Sequence, residues 1–343
     1  MTAVSRGTPP TPGRLIRHPL VLFGIALYVF PYLVVALGKS TFNASEFLVW
    51  AIFATGLNLL WGHTGDLSFG HGMFFGWGAY TAGLVSRHVA FVPLDLAAAA
   101  VVAMAVAWPL AKIIVRRATG IYFAMITLAV GEMFYFIAIR LTSITGGENG
   151  LGDIRLGHLF WIDLTSRVNF FYLSAWVTFI AVACAWFITH SPYGRVCRAI
   201  QQNRARVPFL GFDTVRYRER AFVMSAGICG VAGGLAAFLF RHVAADTLRW
   251  TNTGAAVLIT MLGGVQSFFG PAAGAVVVKF LESTLIPKTP YWPAVIGAIF
   301  AAFVLLAPGG LAGLATQARA LLRRRAEATP PAPPVAPALE STG

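Results

Sequence analysis

Apolar residues along the chain gather into long runs, and the breaks between them are short and polar or basic. A helix that crosses the hydrocarbon core of a bilayer needs roughly 20 predominantly apolar residues. Runs of this kind occur at Leu20 to Leu37, Phe42 to Trp61, Leu67 to Val85, Leu94 to Val115, Gly120 to Arg140 and Phe170 to Thr189. A second group lies at Ala221 to Phe240, Thr253 to Gly263, Gly270 to Ile286 and Pro293 to Leu306. The pattern predicts an all-α, polytopic transmembrane bundle over residues 19–310, with about ten helices, two or three of them short or broken. The first run follows Arg14 and Arg17 and precedes the small residues Ala36 and Gly38, the order found in a secretory signal. It is longer than the roughly 7 to 15 apolar residues of a signal-peptide core, so an uncleaved first helix is expected.

Composition removes the soluble alternatives. Hydrophobic residues make up 57% of the chain and charged residues 11%, against about 25% charged in a soluble domain. The net charge of +13 does not indicate nucleic acid, because the basic residues lie between the apolar runs, where the positive-inside rule assigns them to cytoplasmic loops. With Arg6, Arg14 and Arg17 inside, alternation puts three further clusters on the same side. These are Lys112 with Arg116 and Arg117, the stretch His190 to Arg220, and the tail with Arg319, Arg323, Arg324 and Arg325. The stretch 190–220 carries Arg195, Arg198, Arg204, Arg206, Arg216, Arg218 and Arg220 against only Asp213 and Glu219. Both termini are therefore expected in the cytoplasm. Residues 1–18 and the Pro- and Ala-rich end of the 311–343 tail, from about 326, bury too little apolar area to offset their ordering entropy and are expected to be disordered. Cys184 and Cys229 fall inside apolar runs and Cys197 in the basic loop, which leaves no extracytoplasmic disulfide pair.

Two stretches resemble each other: Gly65 to Ala79, containing Leu67-Ser68-Phe69-Gly70, and Gly263 to Gly274, containing Ser267-Phe268-Phe269-Gly270. Each is a Gly-rich lead into a short apolar helix. Gly-interrupted segments in corresponding halves of a transporter mark broken helices that expose backbone to a substrate. Close packing through small residues explains the same composition, and at this length of match packing is the preferred reading.

Candidate chemistry is sparse. His63, Asp66 and His71 are possible metal ligands, but no third His or nearby Cys completes a set and the HExxH spacing is absent. Ser68 and Ser267 lack a committed base, and no metal site or catalytic residue is assigned. Glu132 lies within an apolar run, where a charge costs at least about 2.5 kcal/mol; it should face the bundle interior with a partner, lining a path or serving helix packing. Lys279 and Glu282 stand one turn apart and are positioned to pair. No GxxxxGK[ST] sequence is present, so ATP binding by this chain is not expected.

Three ordered blocks carry a family resemblance. The first runs Gly56-Leu57-Asn58-Leu59-Leu60-Trp61-Gly62, then Gly65 to His71, then Phe74 to Ala82. The second is Gly120-Ile121-Tyr122-Phe123-Ala124 through Thr127, Gly131 and Glu132, followed by Thr145-Gly146-Gly147-Glu148-Asn149-Gly150. The third is Ser191-Pro192-Tyr193-Gly194-Arg195 through Ala199-Ile200, Asn203, Leu210-Gly211 and Tyr217. Together they resemble the permeases of branched-chain amino acid ABC importers of the LivM type, in the LivH/LivM permease family. Asp66, where the family often has Gln, Phe69, where Leu is usual, and Val207-Pro208-Phe209, in place of an Ala-rich turn, depart from its pattern.

The resemblance implies a non-catalytic, multi-pass permease subunit of the bacterial inner membrane. Its implied partners are a second homologous permease in a heterodimer, two ATPase subunits that use ATP and Mg, and a periplasmic amino-acid-binding protein. No cofactor is expected on this chain and no nucleic acid among its partners. The 190–220 loop would couple to the ATPase through Gly194, Arg195, Arg198, Ala199, Ile200, Asn203 and Gly211, with Ala199, Ile200 and Gly211 making the docking contacts. Arg216, Arg218 and Arg220, next to the following span, are read as holding the loop inside and meeting anionic lipid headgroups. A translocation path for a zwitterion with an apolar tail is sought at Ser68, Gly70, His71, Phe74, Tyr80, Thr127, Glu132, Thr145, Gly146 and Asn149. The alternatives are a urea or short-amide ABC importer permease and an ion-coupled secondary transporter or channel.

Overall fold

The computed structural model describes residues 19–89, 91–156, 164–306 and 309–314. The disorder expected for 1–18 and from about 326, and the tail arginines, lie outside these residues. All ten predicted apolar segments are helical. They form α1 (Pro19–Ala36), α2 (Thr41–Thr64), α3 (His71–Ser86), α4 (Val92–Arg117), α5 (Ile121–Arg140) and α6 (Arg167–His190). After the short α7 (Pro192–Gln202) come α8 (Thr214–Phe240), α9 (Trp250–Gly263), α10 (Gly270–Leu285) and α11 (Trp292–Leu306). Helices α1, α2, α4, α5, α6 and α8 are long and apolar enough to cross a membrane; α3, α9, α10 and α11 are shorter. Among the described residues the only strand-like pairing is one antiparallel bridge, Leu151 with Val243.

Two helix starts differ from the apolar pattern, for local reasons. The run at Leu67 is not yet helix: Asp66 to Gly70 is non-helical, and α3 begins at His71. Conversely α8 begins at Thr214, well before Ala221, because the Asp213 carboxylate caps it by accepting from the N–H groups of Val215 and Arg216. Apolarity marks what the membrane buries, whereas the cap marks where the helix starts.

Helices α2 and α8 form the centre and are buried over most of their length. Small residues let α8 approach its neighbours. Ala99, Ala103, Ala107 and Ala111 of α4 repeat every fourth residue on one fully buried face. A Cβ on Gly230 of α8 would meet Ala103, and one on Gly233 would strike the carbonyl of Phe75 in α3. This is small-residue packing of membrane helices, in which backbone proximity supplies the dispersion contact.

The two look-alike stretches share a shape. Gly65 ends α2 with φ 78° and Gly264 ends α9 with φ 105°, values that L side chains resist. The next helices start after Gly70 (φ −92°, ψ 1°) and Phe269 (φ −88°, ψ −5°). The second break touches α2, where Asn58 Nδ2 donates to the carbonyl of Ser267 at 3.4 Å. The basic ends of α4 and of the α7–α8 segment lie together, joined by Arg116 to Glu219 at 2.7 Å.

Candidate functional site

The break between α2 and α3 is held by a buried ion cluster. Asp66 and Arg218 are only 1% and 2% exposed. Arg218 donates through Nε to Asp66 Oδ2 and through Nη2 to Oδ1 at 3.0 Å. Nη1 donates to the carbonyl of Val115 at 3.1 Å and Nη2 also to that of Ala118 at 3.2 Å, at the end of α4. Arg204, from the stretch after α7, reaches Asp66 Oδ1 at 2.6 Å with its side chain 32% exposed. One carboxylate thus ties the helix break, the end of α4, the start of α8 and the α7–α8 connection. The assignment of Arg218 to lipid headgroups is corrected: it is an internal ligand of Asp66, because a bidentate carboxylate offsets the cost of burying a guanidinium.

Next to this cluster lies a second closed network. Ser225 Oγ donates to the carbonyl of Gly56 at 2.6 Å, so it accepts from His71 Nε2–H at 2.8 Å. His71 Nδ1 then accepts from Ser68 Oγ at 2.8 Å. The ring is packed edge-on against Phe74 and Phe222. Thr127 Oγ1 accepts from the N–H of Phe69 at 3.2 Å, and Gly131 of α5 faces the Cα of Gly70. The structure therefore brings Ser68, Gly70, His71, Phe74 and Thr127 into one buried knot. Tyr80 is buried further along α3.

Other path candidates are placed apart from the knot. Thr145 caps the end of the α5 segment, donating to the carbonyls of Ala138 and Leu141, and accepts from Gly147 N–H. Gly146 and the exposed Asn149 belong to that same turn. Glu132 has the partner expected of it, accepting from the N–H of Trp250 at the start of α9 at 3.1 Å. Its side chain is half-exposed on the outer face of α5 rather than turned to the bundle interior, beside Met125, Met133 and Phe136, which are exposed. The possible metal trio has separate partners: His63 Nδ1 meets the carbonyl of Asn58, Asp66 meets arginines, and His71 meets serines.

Helix α7 starts at a Ser191 cap that accepts from Gly194 N–H, with Pro192 at the first turn. Gly194 packs against the end of α6, where a Cβ would strike the carbonyl of Thr189. Arg195 and Arg198 are exposed, and Arg198 also donates to the carbonyl of Thr189 at 2.9 Å. Cys197 and Ile200 point inward, and Tyr193 donates to the carbonyl of Tyr217 at 2.6 Å. Burial pushes the Cys197 thiol up to about 11 and the Tyr193 phenol above its ordinary value. Ile200 is therefore corrected as a docking contact: it is 1% exposed and helps anchor α7 to the bundle. Ala199 is half-buried, Asn203 is exposed and accepts from Arg206 N–H, and Gly211 has φ 82° with open space around it. The exposed apolar surface lies just beyond α7, where Phe209 is 90% exposed and Leu210 and Phe212 project beside it.

Sequence reasoning missed Arg218 and Ser225. A lone carboxylate at a Gly-rich break needs a cation, but seven arginines in one loop gave no means of choosing. Ser225 sits among Gly and Ala of α8 and reads as packing.

Comparison with known proteins agrees with these motifs. The chain is 25% identical to the high-affinity branched-chain amino acid transport system permease protein LivM of Salmonella typhimurium, over 88% of this chain and 77% of that protein. It is 25% identical to the LivM protein of Escherichia coli K12 over the same shares. It is 26% identical to the LivH permease protein of Escherichia coli K12, over 77% of this chain and 91% of that protein. No solved structure matches it. The model of the family described as branched-chain amino acid transport system / permease component matches residues 41–307. With most of the chain inside that match, and with the broken helices and the basic α7–α8 segment in place, this multi-pass membrane protein belongs to the branched-chain amino acid transport system permease family.

Proposed function

We propose that this chain is a permease subunit of an ATP-driven importer of branched-chain amino acids in the bacterial inner membrane. It works with a second permease, two ATPase subunits and a periplasmic binding protein. The observation that carries the reading is the Asp66 cluster: Arg204 links the exposed α7–α8 segment to the helix break that bears Ser68 and Gly70. A push on the α7–α8 segment from an ATPase subunit then reaches the start of α3 through the Arg204–Asp66 ion pair. Phe209, Leu210 and Phe212, flanked by Arg204 and Arg206, form the contact with that subunit, an apolar knob inside a basic rim. They replace Ala199, Ile200 and Gly211 at the centre of the docking surface.

The buried knot is closed within this chain, so the substrate runs along the outer face of α5, at the border with the second permease. That face is apolar and carries one half-buried carboxylate, Glu132, which suits an ammonium group with an apolar tail. ATP and Mg act in the partner subunits, and this chain supplies the wall and the lever.

The test is reconstitution with ATPase, permease and binding-protein subunits of the same organism. Phe209→Asp with Leu210→Asp should abolish substrate-stimulated ATP hydrolysis while membrane insertion is retained. Unchanged stimulation removes the knob from the contact. Solute uptake by the purified chain alone, driven by an ion gradient, overturns the permease reading itself.

A further inference from the structure

A groove runs along the outside of the bundle between α4 and α6, floored by α8. Its membrane portion is a cavity of about 580 Å³ lined by Leu96, Met104, Val177, Ile180, Met224 and Gly227, among other apolar residues. Ile188 and Met224 continue it into a second cavity of about 780 Å³ at the basic end of the bundle, lined by Lys112, Arg116, Arg216, Glu219 and Arg220. The lining along α6 extends from Leu173 to Ile188, roughly 22 Å of helix.

Charge at the mouth is not balanced. Arg116 is paired with Glu219 at 2.7 Å and Arg216 with Asp213 at 2.9 Å. Lys112 lies 3.8 Å over the ring of Trp108. Among the described residues neither Lys112 nor Arg220 has a carboxylate partner. The groove thus ends in two uncompensated cations at the membrane boundary.

We propose that this groove binds an anionic phospholipid, with one acyl chain between α4 and α6 and the headgroup phosphate between Lys112 and Arg220. Charge and shape select the occupant: an apolar groove that opens at two cations without a carboxylate partner suits an acyl chain that carries an anionic headgroup. Basic pockets between membrane helices on the positive side are the setting in which anionic headgroups are held. The lipid would brace α6 against α4 at the level where α7 begins, filling space that the chain's own side chains leave open.

The full chain, reconstituted in phosphatidylcholine vesicles, is photolabelled with an acyl-diazirine phosphatidylglycerol or an acyl-diazirine phosphatidylcholine, and labelled peptides are quantified by mass spectrometry. The phosphatidylglycerol probe should label the α4 and α6 peptides in excess over the phosphatidylcholine probe. Lys112→Gln with Arg220→Gln should lower that excess about thirtyfold, at about one surface cation's worth of attraction each. Met104→Trp should block both probes by filling the apolar cavity; the charge variant, altered only at the mouth, stands as the test if that protein fails to fold. Equal labelling by the two lipids, unchanged in the charge variant, overturns the proposal in favour of bulk lipid. Displacement of the probe by inorganic phosphate overturns it in favour of a free-anion site. Crosslinking of Cys184, in the groove wall, to another polypeptide in native membranes overturns it in favour of a protein interface.

Discussion

Asp66 and Arg218, 152 positions apart, form a bidentate pair that is almost wholly buried. Two further N–H donors of Arg218 are taken by carbonyls at the end of α4. Removing the carboxylate strands a guanidinium inside the bundle.

Asp66→Asn is therefore expected to cost about 3–5 kcal/mol, the range for breaking a buried pair. Arg204→Gln should cost at most about 1 kcal/mol, because its side chain is partly in solvent and Asp66 keeps Arg218. Combining Asp66→Asn with Arg218→Gln should cost less than Asp66→Asn alone. Thermal unfolding in detergent measures the ranking, and equal losses for Asp66→Asn and Arg204→Gln would show that the cluster acts as one solvated patch.

Arg204 separates coupling from stability. In the reconstituted importer, Arg204→Gln should leave ATP hydrolysis in place but lower the solute moved per ATP, because the link from the α7–α8 segment to the helix break is cut. An unchanged ratio would assign force transfer to the direct packing of α7 on α2 and α6.

Ser225→Ala should destabilise by about 1–3 kcal/mol, the cost of a buried donor left without an acceptor, here His71 Nε2–H. Ser283→Ala, whose hydroxyl bonds within its own helix, is the control and should fall well below that. Both are read from the same melting curves.

Close approach predicts a contrast between glycines. Gly233→Val places methyls where the carbonyl of Phe75 lies and should prevent assembly of α8 against α3. Gly297→Ala in α11 meets nothing within 4 Å and should be neutral or stabilising by up to about 1 kcal/mol. Yield of monodisperse protein separates the two.

The Cys197 thiol, raised to about 11 by burial, stays protonated at neutral pH and remains largely so at about pH 8.5, where a free thiol is half ionised. In a variant with Cys184 and Cys229 replaced by serine, maleimide labelling should stay slow across that range and rise when the protein is denatured. Rapid labelling of folded protein at neutral pH would mean that α7 does not stay docked.

Apolar run length located the ten apolar helices of the described residues, because each must bury a continuous apolar surface. Two boundaries moved, at α3 and α8, since a Gly-rich break and an aspartate cap act on the backbone without changing hydropathy. The site was less legible. Ser68, Gly70 and Thr127 met as neighbours, yet Arg218 looked like any other loop arginine until its distance to Asp66 was known. Ile200 followed an apolar stripe correctly, but the stripe faces the bundle, and the exposed apolar knob arose at Phe209, where local sequence departs from the family pattern.

Helix α2 is the least apolar of the six long helices and also among the most buried. Its polar Ser45, Thr55, Asn58 and Thr64 face protein rather than lipid. Such a segment gains less than its neighbours by partitioning alone into hydrocarbon, and its polar face is covered by helices made later, α6 and α8 among them. Biogenesis of this chain is then a cooperative step, and truncation before α8 should leave α2 exposed to quality-control proteolysis.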